Sequence, residues 1–414
     1  MADIPIAAAS KRKTNHNEMR SNNLSLVLNL ILSSPAHISR AGVSKSTELT
    51  RATASSLVDE LIELGYLREI GVDKNSSPGK PAVLLDICPD KIFAIGLSLR
   101  ESTLYLEKIN LLGEISCLEQ ERIAGLAPAD TYKLMRRMLH TRINIMHATG
   151  EKLAGIGLSL PCPVIDRKIR YSFTLKEYEG FNFYELLRAE FPYPIFVEND
   201  ADASVLAESW YGAARGFQRV FYLLVNHGIG SSFSYNQDLY FGVHNITPEF
   251  GHFVALPDGP HCFCGRRGCL EAIASDLALQ NYKLNDGVLT DMIYTDPQKF
   301  RSGLDRTISG FAQSPEQQIP DYVWTCAKRL GIAVANLITT LCSDLIILNG
   351  PVFSIPTFFD RVVETARQNV HPMLAEYMNI KLSGFGNHTA LIGAGTLALR
   401  SLYLNPMLVS AFNP

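Results

Sequence analysis

Cysteine is scarce in this chain, eight in 414 residues, and too unevenly spread for a disulfide scaffold. Long apolar runs are scarce as well. The most apolar stretch, residues 330–348 (LGIAVANLITTLCSDLIIL), is broken by Asn336, two threonines and Asp344, so it predicts a buried helix running into a strand and no membrane insertion. The formal net charge is only −3, so the chain as a whole is no polyanion binder. The opening MADIPIAAASKRKTNHNEMR places its basic residues after a short apolar stretch, the reverse of a secretory signal. A reducing, cytoplasmic setting is the expectation these absences leave. What is present is globular: 47% hydrophobic and 19% charged residues, in a chain long enough for two or three domains.

The few cysteines cluster. Cys262, Cys264 and Cys269 fall within CFCGRRGCLE, and His252 stands ten positions upstream of the first of them, in EFGHF. One imidazole and three thiolates make a closed set for tetrahedral zinc, with no position left for a reacting water, so a structural zinc is expected. Gly265 and Gly268 let the chain between the last two thiols turn tightly. Cys88, Cys117, Cys162, Cys326 and Cys342 are isolated and read as ordinary core or near-surface residues.

The N-terminal segment predicts three helices. The first is apolar at Leu26, Leu28, Leu30 and Ile31 and ends before Pro35, and a short one follows Ser39. The third starts after Thr50, a cap candidate, and puts Ala54, Leu57, Val58, Leu61 and Leu64 on one face up to Gly65. YLREI and AVLLDI then form a hairpin around the loop GVDKNSSPGKP, which completes a winged helix-turn-helix over residues 1–88. The start of a recognition helix must reach base edges, and here it carries Thr50, Arg51, Thr53, Ser55 and Ser56. Residues 11–51 hold seven Lys/Arg against Glu18 and Glu48, whereas residues 52–70 hold Arg68 against four carboxylates. With Lys74 and Lys80 on the wing, this asymmetry predicts operator DNA as a partner.

From about residue 91 the pattern is α/β. KIFAIGLSL, TLYLEKINL, LAGIGLSLP, PIFVEN, VFYLLV and DLIILNG are short β-rich runs, alternating with helical stretches such as residues 128–149 and 202–214. The stretch EFGHFVALPDGPHCFCGRRGCLE, with VENDADASVLAESWYGAARG upstream and IGAGTLAL near the end, resembles the ROK family of sugar kinases and sugar-responsive repressors. The likeness runs through residues 91–400, and with the winged helix in front it extends to the family's transcriptional regulators. It implies a two-lobed actin-like ATPase fold over residues 89–414, with a zinc motif at 249–271. It also implies a sugar site made of Asn199, Asp200, Glu249, His252 and Glu271. Carboxylates and an amide suit neighbouring hydroxyls, and a histidine bound to zinc through one nitrogen can offer the other to a ligand.

The departures from the family pattern fall on one function. Kinases of the family open with a D-x-G-G-T phosphate loop; here it reads GLSLREST, with Ser98 in place of the Asp and Arg100 and Glu101 in place of the glycines. The second loop carries Asn226 and His227, and Asn349-Gly350-Pro351 stands where two glycines are usual. Asp202 replaces a second Asn, and Cys162 a Gly. The expectation is therefore a sugar-responsive regulator without kinase activity, bound to operator DNA as a homodimer or homotetramer, nucleoid-associated when on DNA, with a sugar or sugar phosphate as effector. A sugar kinase with a DNA-binding appendage is the alternative, and a protein component of a sugar transporter is a further candidate partner.

Overall fold

The computed structural model describes residues 16–34, 36–72, 82–100, 102–170, 172, 175–243, 246–291 and 304–413. Two compact units separate among them. The first takes in the chain up to Phe93 with Met146–Ala154 and the segment from Leu399 onward; the second holds Ala94–Ile145 and Gly155–Ala398.

In the first unit, α1 (His16–Ser33), β1 (Ile38–Ser39), α2 (Arg40–Thr47), α3 (Arg51–Leu64), β2 (Leu67–Val72) and β3 (Val83–Ile87) follow in order. The strands form an antiparallel sheet in the order β1-β3-β2, so a third strand joins the expected hairpin. Side chains set the helix starts: Ser39 accepts the Gly42 N–H and Thr50 accepts the Thr53 N–H. The buried stripe of α3 is Ala54, Leu57, Val58 and Leu61, as the pattern predicts. On α1 the phase differs from expectation. Leu24, Val27, Leu28 and Ile31 are buried at helical spacing, while Leu26 points outward.

This unit is not one stretch of sequence. The Ser25 hydroxyl and the Asn29 amide donate to the Tyr403 carbonyl at 2.6 and 3.0 Å, and the buried Tyr66 hydroxyl donates to the Pro406 carbonyl at 2.8 Å. Lys152 reaches the Leu64 carbonyl at 3.0 Å. The last residues of the chain thus complete the core of the three-helix module.

The second unit holds most of β4 (Ile92–Arg100), all of β5 (Thr103–Asn110) and β6 (Ile115–Arg122), and most of α4 (Pro128–Ala148) and β7 (Lys152–Leu160). A small hairpin, β8 (Val164–Ile165) and β9 (Lys168–Ile169), and α5 (Phe183–Glu190) precede β10 (Ile195–Asn199) and α6 (Asp200–Tyr211). The second half repeats the scheme with β11 (Arg219–Val225), β12 (Ile229–Tyr235) and β13 (Asp238–Leu239). After α7 (Leu270–Ala274) and α8 (Asp276–Leu284) come the helix Asp321–Leu341, β14 (Leu345–Asn349) and β15 (Ile380–Leu382). One sheet runs β10-β7-β4-β5-β6 and the other β13-β12-β11-β14-β15. Read from opposite edges, the orders are the same, so the unit is built from two like halves. The apolar run at 330–348 is the end of the helix Asp321–Leu341 entering β14, and Leu330, Val334 and Leu337 pack with Phe221, Leu223, Ile346 and Leu348.

Functional side chains collect where the parallel strands end, as open α/β sheets favour. Arg100 ends β4, Pro161 and Cys162 follow β7, Asn199 ends β10, and Asn349 ends β14.

Candidate functional site

A cavity of about 220 Å³ lies within the second unit, and all five expected sugar residues line it: Asn199, Asp200, Glu249, His252 and Glu271. Each owes its place to local structure. Asn199 caps α6, accepting the Asp202 N–H at 2.7 Å, and its amide donates to the Thr247 hydroxyl at 3.3 Å. That leaves one amide hydrogen for a ligand. Asp200 opens α6, where backbone N–H groups favour its charge. The cavity walls nevertheless take water from it and raise its carboxyl to about 6, against the opposing pull of Arg100.

Glu249 and Glu271 flank His252. Loss of water raises both carboxyls; His252 opposes this at each, and the Glu271 charge raises Glu249 further. Glu271 accepts the Ile229 N–H at 2.9 Å, which fixes its carboxylate against the start of β12.

The His252, Cys262, Cys264 and Cys269 ligand atoms lie within 4.8 Å of one another. Cys262 Sγ lies 3.4 Å from His252 Nδ1, and Cys264 Sγ lies 3.5 Å from Cys269 Sγ. A tetrahedral zinc with bonds of about 2.0–2.3 Å needs ligand separations of about 3.5–3.8 Å, so the donor set and its spacing suit the ion. Gly265 and Gly268 have φ of 86° and 69°, the left-handed turns expected between the thiols. His252 points Nδ1 at the thiols, which leaves Nε2 as the atom to meet a hydroxyl.

The described positions that depart from the expected kinase pattern either bond within the fold or border the cavity. Ser98 is buried and receives the Ser159 hydroxyl at 2.9 Å, so it ties β4 to β7 inside the sheet. Asn349 donates to the Tyr222 hydroxyl and the Gly386 carbonyl at 2.7 and 2.9 Å and accepts the Gly350 N–H, which engages it in the fold. Arg100 borders the cavity. Cys162 also lines it as a buried thiol, pushed up to about 12 by burial with the Asp200 charge adding.

Sequence reasoning missed the support behind Asn199. Asp202 is fully buried and accepts hydroxyls from Ser232 at 2.5 Å and Thr247 at 3.1 Å. It is therefore a strut behind the cavity. Nothing in the spacing of Thr247 or Ser232 announces this role, which depends on β12 passing behind α6.

In the first unit, Arg51 and Ser56 are exposed at the start of α3, with Thr53 and Ser55 partly so. Thr50 and Thr53 bond each other at 2.8 Å and hold the helix start. Arg40 is engaged internally, with Asp59 at 2.7 Å and Glu69 at 3.0 Å, and Arg20 pairs with Glu60 at 2.9 Å. Part of the basic excess therefore braces the module. Lys74, Lys80, Glu101 and the basic residues 11–13 lie outside the described residues. No helix among the described residues is long and apolar enough to cross a membrane.

The sequence model of the ROK family matches residues 108–401. The xylose repressor of Bacillus spizizenii is 27% identical over 90% of this chain and 94% of its own length. The glucokinase of Thermotoga maritima is 28% identical, but over 63% of this chain. Among solved structures, a ROK family transcriptional regulator, a homologue of the Escherichia coli Mlc protein, superposes with a TM-score of 0.77 at 22% identity, covering 96% of this chain and all of that one. That likeness shows the fold, including both halves of the second unit.

The buried Asp202 yields a prediction. Burial first, then the Glu198 charge, raises its carboxyl well above the ordinary 3.8, with the two hydroxyls opposing. A carboxyl raised on folding contributes stability that is complete below its unfolded pKa and is lost as pH rises through its folded one. Asp202→Asn removes that loss. The variant should therefore gain thermal stability over the wild type at pH 8, and the gap should shrink towards pH 4 in melting curves taken across that range.

Proposed function

The chain belongs to the ROK family, and from that premise we propose that it is a sugar-responsive, DNA-binding transcriptional regulator, a repressor of carbohydrate uptake or catabolism genes and not a sugar kinase. The observation that carries this reading is the fate of Ser98. In the place of the carboxylate that helps to organise Mg·ATP in the kinases, it is buried and hydrogen-bonded to Ser159, while Asp200, Glu249, His252 and Glu271 remain around the cavity. Phosphoryl transfer depends on placing the phosphate and neutralising its charge. A chain that keeps the hydroxyl-reading acids and buries the residue standing in for that carboxylate is equipped to sense a sugar. The spread of the likeness agrees, since the xylose repressor aligns over nine-tenths of the chain and the glucokinase over under two-thirds.

In this reading the first unit is a winged helix-turn-helix with α3 as its recognition helix. Arg51 reads a base edge, Ser55 and Ser56 contact bases or backbone, and Thr50 and Thr53 hold the helix start. Lys80 on the wing meets phosphate. A two-fold homo-oligomer would present two such helices to a pseudo-palindromic operator, and the protein would work in the cytoplasm, on the nucleoid when bound to DNA. Zinc held by His252, Cys262, Cys264 and Cys269 supplies rigidity. The four side chains leave it no open position, so His252 and the neighbouring Glu271 are oriented for sugar hydroxyls.

Three outcomes test the proposal. Arg51→Ala should weaken binding to the operator, located upstream of the protein's own gene cluster by footprinting, by about 1–3 kcal/mol in anisotropy titrations; unchanged affinity would remove α3 from the DNA. Elemental analysis should find about one zinc per chain, and Cys264→Ser should lose both the metal and the sugar response. Calorimetry with Mg·ATP, with and without sugars, should show no turnover. Sugar-dependent ATP consumption would place the chain among the kinases.

A further inference from the structure

The cavity has one cationic wall, and its use follows from what surrounds it. Among the described lining residues Arg100 is the only lysine or arginine. It ends β4, and its guanidinium carbon lies 5.6 Å from the centre of the Tyr105 ring, a stacking contact that orients the fork. Its charge acts on Asp200 in the cavity and on Glu107 of β5.

Glu107 does not discharge it. That side chain is fully buried and neither carboxylate oxygen has a hydrogen-bond partner, so it makes no bond to the guanidinium. Burial raises its carboxyl well above the ordinary range, with the pull of Arg100 opposing. The positive charge is left to face the cavity. Glu249 and Glu271 are neighbours of His252, and the Glu249 charge also reaches Asp200. The cavity therefore joins a group of acids suited to hydroxyls to a single cation, Arg100, whose charge acts on Asp200. At about 220 Å³ it falls below the roughly 300–1,000 Å³ typical of drug-sized ligands, a volume for a single small polar molecule.

Building on the sugar-sensor reading, we infer that the effector is an anionic aldose, carrying a phosphoryl or carboxylate group that Arg100 receives while Asp200, Glu249, His252 and Glu271 read its hydroxyls. The guanidinium presents several N–H donors in a plane, the geometry that planar or tetrahedral oxyanions take up in pairs. In this arrangement the cation replaces the metal and backbone that a kinase would bring to a phosphate. The anion arrives already joined to the sugar. Arg100 is thus a specificity-determining residue, and the site selects a modified sugar over its neutral parent.

The test is calorimetric titration of the full chain at fixed ionic strength. The probes are glucose, mannose and galactose, each with its 6-phosphate and its uronate, and inorganic phosphate alone. One anionic form should bind about 10- to 100-fold more tightly than its parent sugar, the range expected of hydrogen bonds to a charged group. Preference for the 6-phosphate identifies a phosphoryl group and preference for the uronate a carboxylate. Arg100→Gln should abolish the preference, and Arg100→Lys, which keeps the charge without the fork, should restore part of it. Neutral sugars that bind as tightly as their anionic forms would overturn the inference and leave the sensor reading intact. The inference also falls if Arg100→Gln weakens neutral and anionic sugars equally, because Arg100 would then be only a counterion to Asp200. Binding of inorganic phosphate with no sugar, or of no probe at all, would overturn the sensor reading together with the inference.

Discussion

The candidate site hangs on a stretch of backbone, Val225–Ser231, that is pressed from two sides at once. A Cβ on Gly350 would sit 1.7 Å from the Val225 carbonyl oxygen, and one on Gly251 would sit 2.0 Å from that of Ile229. Only glycine allows these approaches. Hydrogen bonds hold the same stretch: the Ile229 N–H reaches Glu271, the Phe250 N–H reaches the Ser231 hydroxyl at 2.8 Å, and that hydroxyl donates in turn to the Pro248 carbonyl. His252 follows Gly251 directly, and Glu271 comes two residues after Cys269. The wall of the cavity and the cysteine-histidine cluster are therefore one construction, and neither can shift alone.

Against that wall, the contrast between retained and substituted residues becomes physical. The residues kept in place are those with capacity to spare for a ligand: a free amide hydrogen on Asn199, the far nitrogen of His252, and carboxylate oxygens on Asp200, Glu249 and Glu271. Two of the residues substituted at the expected phosphate end have been drawn into the fold. Ser98 bonds within its sheet, and Asn349 spends its donors on Tyr222 and Gly386. A group whose hydrogen bonds are satisfied internally gains little by exchanging them for a ligand's.

Much of this was legible from residues alone. Alternation and helical spacing located the β-rich runs and α3, and the His/Cys spacing located the cluster. Local chemistry, short in range, is what such patterns encode. The rest depended on residues far apart in sequence. The first helix is apolar on enough of its surface that Leu26 and Leu24 compete for the buried face, and packing decides for Leu24. The two residues of β1 are too short to alternate detectably. The carbonyls of Tyr403 and Pro406 accept hydrogen bonds from Ser25, Asn29 and Tyr66, hundreds of positions away. Asp202 read as an oddity because its partners, Ser232 and Thr247, are thirty and forty-five residues distant. The charge asymmetry predicted a DNA-facing surface, and pairing then consumed Arg20 and Arg40.

A ligand changes DNA affinity only if it binds one arrangement of the protein better than another, by an amount equal to the shift it causes. The cavity is suited to that because its walls come from both halves of the second unit. Arg100, Asn199 and Asp200 belong to the half containing β4 and β10; Glu249, His252 and Glu271 belong to the half containing β11 and β14. A sugar held from one half would bind equally well wherever the other half stood, and would regulate nothing. A sugar whose hydroxyls and charged group are shared between the halves loses contacts when they separate. Each lost charge-assisted hydrogen bond costs about 1.5–3 kcal/mol, so two of them span most of the roughly 5.5 kcal/mol needed to invert a 1:99 equilibrium. A site divided across two like halves would thus let a small, uncatalysed binding event carry a regulatory signal.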